Sequence, residues 1–491
     1  MKKRNLLIGS TAIAGGAIAG CVIKNYAGKR KIKEKTDDYK TSIYVDCLGE
    51  EHVVTPETQR ELFERFKGYL GDDGLQLSEN YTLAKDFDNR RRCNILVTCE
   101  DNQRDLLINK NIENGNFNFV VIDEDGTKLK ANGKLLEEKG YTVKALNISN
   151  NDICKDYKKE YYNPLAYLKN INLKKNELAD AYMRKSTIDF VTYCHTKTKS
   201  ALDEDHFVVA YSCALMIACT TYMLTKDKSW CVGDLINLIE KGIVRKEHKQ
   251  SQLDLLMNDD ALKKEALYNL ISENYDKFRS IDNDRKNEVI AFCVSKLRPF
   301  TIPHFEELSK YDSVELQDTA TDKTALFVVT DRNEYSKLMC GLLIEQLQLS
   351  RCYTVSDIIY TNNQYSYYME HAKPLVCMIP DLHLVCRFKI DNLDIVNSSR
   401  MSYIIATTGS EEIDNIYDAN NNTNKYSYYF RLFSSILITH GKPYVCNEKP
   451  PKAYVDKTGS EENVKTNIRH VDCGIQMDAL GKGMVITDSH I

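Results

Sequence analysis

Hydrophobic and polar positions along this chain switch between two periods, and the switches divide it. Asn94-Ile95-Leu96-Val97 is a short apolar run, and further on Phe119-Val120-Val121-Ile122 leads into Asp123-Glu124-Asp125-Gly126. An amphipathic stretch follows, with Leu129, Leu135 and Leu136 on one side and Gly140 placed to end a helix. Another strand-like run covers Tyr141 to Ile148. Strand-length runs around a helix-length one predict a βαβ unit of a parallel sheet, whose strand ends commonly receive nucleoside triphosphates. From about residue 166 to 300 the period becomes helical, through Phe207 to Leu224, Leu253 to Phe278 and Asn283 to Leu297. Strand-like runs resume at Ala325 to Val329, Leu375 to Ile379, Tyr403 to Ala406 and Ile436 to Thr439. One sheet interrupted by a helical insertion accounts for both pieces.

The expected organisation is therefore a membrane anchor over 1–24 and a linker with an N-terminal segment over 25–87. The first part of a nucleotide-binding-like domain covers 88–165, an all-α insertion 166–305, and the second part of the sheet domain 306–446. A polar tail or hairpin closes the chain over 447–491. A helix is expected near Pro56 to Leu70, where Leu62, Phe63, Phe66, Tyr69 and Leu70 share a side.

The anchor rests on a charge-free run from Asn5 to Ile23, preceded by Lys2, Lys3 and Arg4 and followed by a denser group of lysines and arginines. Such a run just spans a bilayer, and the heavier basic flank predicts a single pass with the body in the cytoplasm of a bacterial cell. Ile18-Ala19-Gly20-Cys21 also matches the box at which bacterial lipoproteins are cut and lipidated, which leaves an exported protein lipidated at Cys21 as an alternative. Phe207 to Leu224 also lacks charge, but its serine, threonines and tyrosines fit a buried helix of the all-α domain better than a second span.

With 491 residues, 43% of them hydrophobic and 28% charged, the chain can bury a substantial core. A net charge of −4 gives no global field for nucleic acid, so DNA contact would need a local basic patch. Sixteen cysteines lack CxxC spacing and sit largely in apolar runs, which suits a reducing compartment and excludes a small disulfide scaffold. No HExxH and no zinc-like Cys/His spacing occurs.

Several short segments, in consistent order, resemble the TraG-like coupling proteins of conjugative type IV secretion. They include Gly74-Leu75-Gln76-Leu77-Ser78-Glu79-Asn80-Tyr81, Val121-Ile122-Asp123-Glu124-Asp125-Gly126, Gly140-Tyr141-Thr142-Val143 and Tyr162-Asn163-Pro164-Leu165. Leu253-Asp254-Leu255-Leu256, Leu297-Arg298-Pro299-Phe300 and Lys323-Thr324-Ala325-Leu326-Phe327-Val328 continue the series. The resemblance implies a RecA-like, P-loop NTPase-type α/β fold split by an all-α domain, with an N-terminal transmembrane helix. It also implies a place in DNA transfer, with the secretion channel, an active coupling protein or a relaxase as partners and rings as the family's assembly.

The family's chemistry is missing from its expected places. A P-loop surrounds phosphate with backbone N–H groups exposed by glycines, while a lysine and a hydroxyl manage charge and Mg2+. Here the corresponding stretch reads Thr98-Cys99-Glu100-Asp101-Asn102-Gln103-Arg104-Asp105, with no glycine between Leu75 and Asn114 and no lysine between Lys85 and Lys110. By resemblance, Pro380-Asp381 stands where the family carries Asp-Glu, and Thr407 where it carries a sensor glutamine. The sequence therefore assigns no catalytic residue, no cofactor and no metal ligand, and the expectation is a pseudo-ATPase acting as scaffold or partner subunit. The alternative is a divergent active ATPase that uses Arg104 and Asp381.

Other constellations carry two readings each. Asp123, Glu124 and Asp125 form a solvated turn or hold a divalent ion. Arg90, Arg91 and Arg92 form a basic surface or touch DNA or lipid. Cys194 and His195 are neighbours without a shared role, or a nucleophile and its base. Tyr426, Tyr428, Tyr429 and Phe430 pack on the sheet or stack bases.

Overall fold

The computed structural model describes most of residues 75–407, together with strand residues 42–45, 51–54, 435–439, 473–477 and 483–487. The apolar N-terminal run with Cys21, the helix expected near Pro56, Arg90 to Arg92, and Tyr426 to Phe430 lie outside the described residues.

The strands, in chain order, are β1 (Ser42–Val45), β2 (Glu51–Val54), β3 (Gln76–Ser78), β4 (Tyr81–Thr82), β5 (Ile95–Thr98), β6 (Asn118–Glu124), β7 (Thr142–Asn147), β8 (Thr324–Thr330), β9 (Leu375–Ile379), β10 (Met401–Thr407), β11 (Ser435–Thr439), β12 (Cys473–Met477) and β13 (Gly483–Thr487). Nine of them make one sheet in the order β12-β13-β11-β5-β10-β9-β6-β8-β7. From β11 to β7 every neighbouring pair is parallel, and the β12–β13 hairpin adds antiparallel to β11. The fold class is thus α/β with a parallel sheet. β1 and β2 pair antiparallel inside the stretch read from sequence as a linker. Its Ile43, Val45, Val53 and Val54 supply the β-branched positions that a strand pair favours.

The central strands explain their own placement. Every residue of β8 and β9 is buried, as continuous apolar runs require when both faces of a parallel strand are covered. Val120, Ile122, Leu326, Val328, Cys377, Ile379 and Ile405 join one continuous core with the helical block. The alternating residues Phe119, Val121, Phe327 and Met378 are equally buried outside that core, as the twofold period of a strand demands.

The helices are α1 (Asp101–Asn114), α2 (Thr127–Glu138), α3 (Pro164–Asn172), α4 (Glu177–Lys197), α5 (His206–Leu224), α6 (Val232–Glu240), α7 (Gln252–Met257), α8 (Tyr268–Arg279), α9 (Asn283–Leu297), α10 (Pro303–Leu308) and α11 (Glu334–Asn362). α1 occupies a stretch to which the sequence pattern assigned no element. Leu107, Ile108, Asn111 and Ile112 form its buried stripe at helical spacing. Helices α3 to α10 lie between β7 and β8, so the helical block leaves from the edge strand and returns one strand further in. Gly140 ends α2 in the left-handed conformation at φ 80°, and its amide donates to Glu137 O.

Among the described residues, α5 alone is long and apolar enough to cross a bilayer, yet 67% of its apolar window is buried. It packs on α4, α6, α8 and α9, with Leu215, Met216, Ala218 and Cys219 wholly enclosed. Asp205 caps its first turn by accepting from Phe207 N at 2.9 Å, and Arg285 pairs with Asp205 while lying over the Phe207 ring. As the central helix of the block, α5 is intolerant of cavities. Leu215→Ala should lower unfolding stability by about 2–5 kcal/mol in chemical denaturation, because the neighbouring helices cannot all move in to fill the space.

Candidate functional site

Ligands of open parallel sheets bind beyond the carboxyl ends of the strands, so the ends of β5, β6, β8, β9 and β10 define the place to look. β5 ends at Thr98 and α1 begins at Asp101, leaving two residues between them. A Gly-x4-Gly-Lys phosphate loop places its glycines and lysine at such a junction. Cys99 and Glu100, the residues of that interval, include neither glycine nor lysine.

The next helix N-terminus along this edge is occupied by the chain itself. β6 delivers Asp123 to its carboxyl end fully buried. Asp125 and Gly126, at φ 59° and 66°, then turn the backbone so that the first amides of α2 face back toward it. One Asp123 oxygen accepts from Lys128 N at 3.0 Å and the other from Leu129 N at 2.8 Å. Burial pushes this carboxyl above its ordinary range, while the two amide donors pull the other way. Asp123 is therefore an internal helix cap and not part of a solvated turn.

Glu124 and Asp381 share a third group. Arg332, just past β8, donates from Nε to Glu124 Oε1 at 2.6 Å and from Nη2 to Glu124 Oε2 at 3.0 Å. The same Nη2 donates to Asp381 Oδ2 at 2.8 Å. The Asp381 side chain is only 4% exposed, and its other oxygen accepts from His383 N at 2.8 Å, capping a short 3₁₀ turn. Hydrogen bonding to Glu124, aided by both carboxylates, holds the guanidinium even more firmly protonated than usual. Sequence reasoning passed over Arg332; its one signal was position, directly beyond the buried run of β8.

Arg104 lies in the first turn of α1 with its Nε 4.0 Å from Asp105, which also pairs with Lys128 at 2.8 Å. The structure thus sets Arg104 beside Asp105, and Asp381 beside Arg332. Cys194 and His195 are both buried in α4; burial pushes the Cys194 thiol far up, so no thiolate forms near neutral pH. The His195 ring packs 5.8 Å from that of Phe292. The backbone of Thr407 ends β10 in register with Thr98. Among the described residues no group of three or more His, Cys, Asp or Glu is disposed to hold a metal, and the described cysteines are free thiols.

No protein-family model matches the chain, and no curated protein does. Solved structures do. The likeness is to a conjugative coupling protein. The trigonal form of bacterial TrwBdeltaN70 in complex with sulphate gives a TM-score of 0.48 at 10% identity, over 87% of this chain and 84% of that one. TrwB in complex with ADP and Mg2+ gives 0.48 at 9% identity, over 88% and 90% of the two chains. TrwB with the GTP analogue GDPNP gives 0.48 at 11% identity, over 87% and 84%. At this identity the likeness concerns chain path and carries no residue roles.

If Arg332 balances two carboxylates, its loss leaves the enclosed Asp381 charge uncompensated. Arg332→Gln should cost about 1–3 kcal/mol in urea denaturation, the range for losing a charged hydrogen-bond partner of a buried carboxylate, reduced because the guanidinium is half in water. Adding Asp381→Asn should recover part of that loss, so the two substitutions together cost less than their sum.

Proposed function

We propose that this chain is a non-catalytic relative of the TraG-like coupling proteins, acting as a scaffold or partner subunit in conjugative DNA transfer. The observation that carries the non-catalytic part is the short β5–α1 junction, which has none of the glycines and no lysine of a phosphate loop. The filled amides of α2 and the guanidinium held by Glu124 and Asp381 support the same reading. An anion meeting the first turn of α2 finds Lys128 N and Leu129 N already engaged, and a divalent cation finds Glu124 and Asp381 already paired with Arg332.

The family assignment rests on the ordered series of motifs and on the parallel sheet interrupted by a helical block. On this reading the apolar run from Asn5 to Ile23 anchors the chain in the bacterial cell membrane with its bulk in the cytoplasm. Its partners are the secretion channel and an active coupling protein or a relaxase. DNA need not be touched directly, since a net charge of −4 supplies no attraction for it.

Purified full-length chain, incubated with ATP, Mg2+ and single-stranded DNA, should release no phosphate above background and give no binding heat in titration calorimetry. Saturable hydrolysis that disappears in Asp381→Asn would overturn the non-catalytic reading. Pull-down of the tagged chain from its native membrane should recover an intact coupling ATPase or a relaxase; recovery of neither from a cell carrying out transfer would remove the scaffold role.

A further inference from the structure

The helical block is joined to the sheet by two segments that run side by side. Residues 159–163 lead in and residues 308–315 lead out. Tyr162 N donates to Leu308 O at 3.0 Å, while Ser313 N and Val314 N donate to Tyr161 O at 2.9 and 3.2 Å. Tyr161 N donates to Ser313 Oγ at 2.9 Å, and that hydroxyl in turn donates to the Glu160 carboxylate. Lys144 of β7 reaches the same pair, donating to Ser313 O and Val314 O.

Two buried amide side chains extend this pairing into both bodies. Asn163 Nδ2 donates to Trp230 O at 2.6 Å and its Oδ1 accepts from Leu165 N at 3.0 Å, which ties the lead-in to the chain ahead of α6 and to the first turn of α3. Gln346 belongs to α11, the helix that follows β8. Its Oε1 accepts from the Tyr162 hydroxyl at 2.6 Å and its Nε2 donates to Pro164 O at 3.1 Å. A further tie lies nearer the start of α11, where the buried Tyr193 of α4 donates to Leu338 O at 2.9 Å. Gly341 permits this approach, since a Cβ there would overlap the Tyr193 hydroxyl and crowd Cys386 O. Around these ties one apolar core runs from Leu326 and Val328 of β8 through Leu343 and Leu347 of α11 to Phe190 of α4 and Leu215 of α5.

We propose that α11 and the paired connectors form a lock that makes the sheet and the helical block one body. A displacement imposed on the block by a bound partner is then carried to the sheet and is not absorbed at a hinge. Domains that meet through small polar interfaces move by default, and a shared apolar core removes that freedom. A hinge also needs a few connecting residues that can change φ and ψ, whereas Tyr161, Tyr162, Ser313 and Val314 have main-chain groups bound across the joint. Opening would break the bonds of Asn163, Gln346 and Tyr193 and expose the core together, so the joint opens as a unit with the bodies that it links. This inference concerns the joint alone and is independent of the reading of the sheet edge.

Native-state hydrogen exchange on the full-length chain in rising urea tests it. The amides of Tyr162, Ser313 and Val314 should reach the same opening free energy as the amides of β8 and α5. In Gly341→Ala, which pushes Tyr193 off α11, exchange at the three joint amides should quicken by about tenfold or more relative to β8 and α5. A separate, lower-energy opening of the joint in the unaltered chain overturns the proposal, as does loss of protection in β8 and α5 at different urea concentrations. A joint left unchanged by Gly341→Ala also overturns it. If Gly341→Ala does not fold, Tyr193→Phe, which removes only the hydroxyl, decides: faster exchange at the joint while β8 and α5 keep their common value supports the lock, and an unmoved joint overturns it.

Discussion

Three strands that run the same way, β6, β8 and β9, bring a glutamate, an arginine and an aspartate to one end of the sheet, and a single guanidinium holds the two acids together. Without Arg332, Glu124 and the enclosed Asp381 would repel one another across strands that must stay in register for the core beneath to pack. A divalent cation can perform the same neutralisation, but only while it is bound. A side chain of the protein performs it permanently and at no dependence on ligand concentration. That difference connects stability to function on the proposed reading. An edge that must open to fuel and metal needs charges left unpaired in the resting state, and this edge leaves few of them so.

Asp123 illustrates the same closure by other means. Consecutive left-handed residues before a helix gather amide donors into an anion-binding concavity, and in many α/β proteins that concavity waits for phosphate. Here the last buried residue of the preceding strand reaches into it. A carboxylate five and six residues upstream of its donors is a far better competitor than any free anion, because the chain has already fixed its position. The helix gains a cap, and Lys128 N and Leu129 N are engaged within the chain.

How much of this was legible in the sequence follows from what each signal measures. The fully buried runs of β8 and β9 announced themselves, because a parallel strand covered on both faces has almost no polar residues. α5 was readable as a core helix from its hydroxyls and tyrosines, despite passing the length test for a membrane span. α1 was not legible because its first turn, Asp101 to Arg104, is wholly polar, and the helical stripe of Leu107, Ile108 and Ile112 begins only downstream. Asp123 was misread for a related reason. Acidic residues in a row suggest solvent, and only the turn geometry reveals that one of them points inward. Arg332 was invisible because its two partners lie 208 and 49 residues away in sequence, and no local pattern encodes such a meeting.

The junction between the two connectors of the helical block belongs to the same class of long-range facts. An insertion adds a domain through two connections only, so whatever fixes those connections fixes the domain. Here they are fixed by backbone hydrogen bonds between segments about 150 residues apart in sequence, and by side chains of both segments. Lys144 comes from the sheet, and Lys159, Glu160, Asp312 and Glu315 from the connectors, so charged side chains of both bodies meet at the joint.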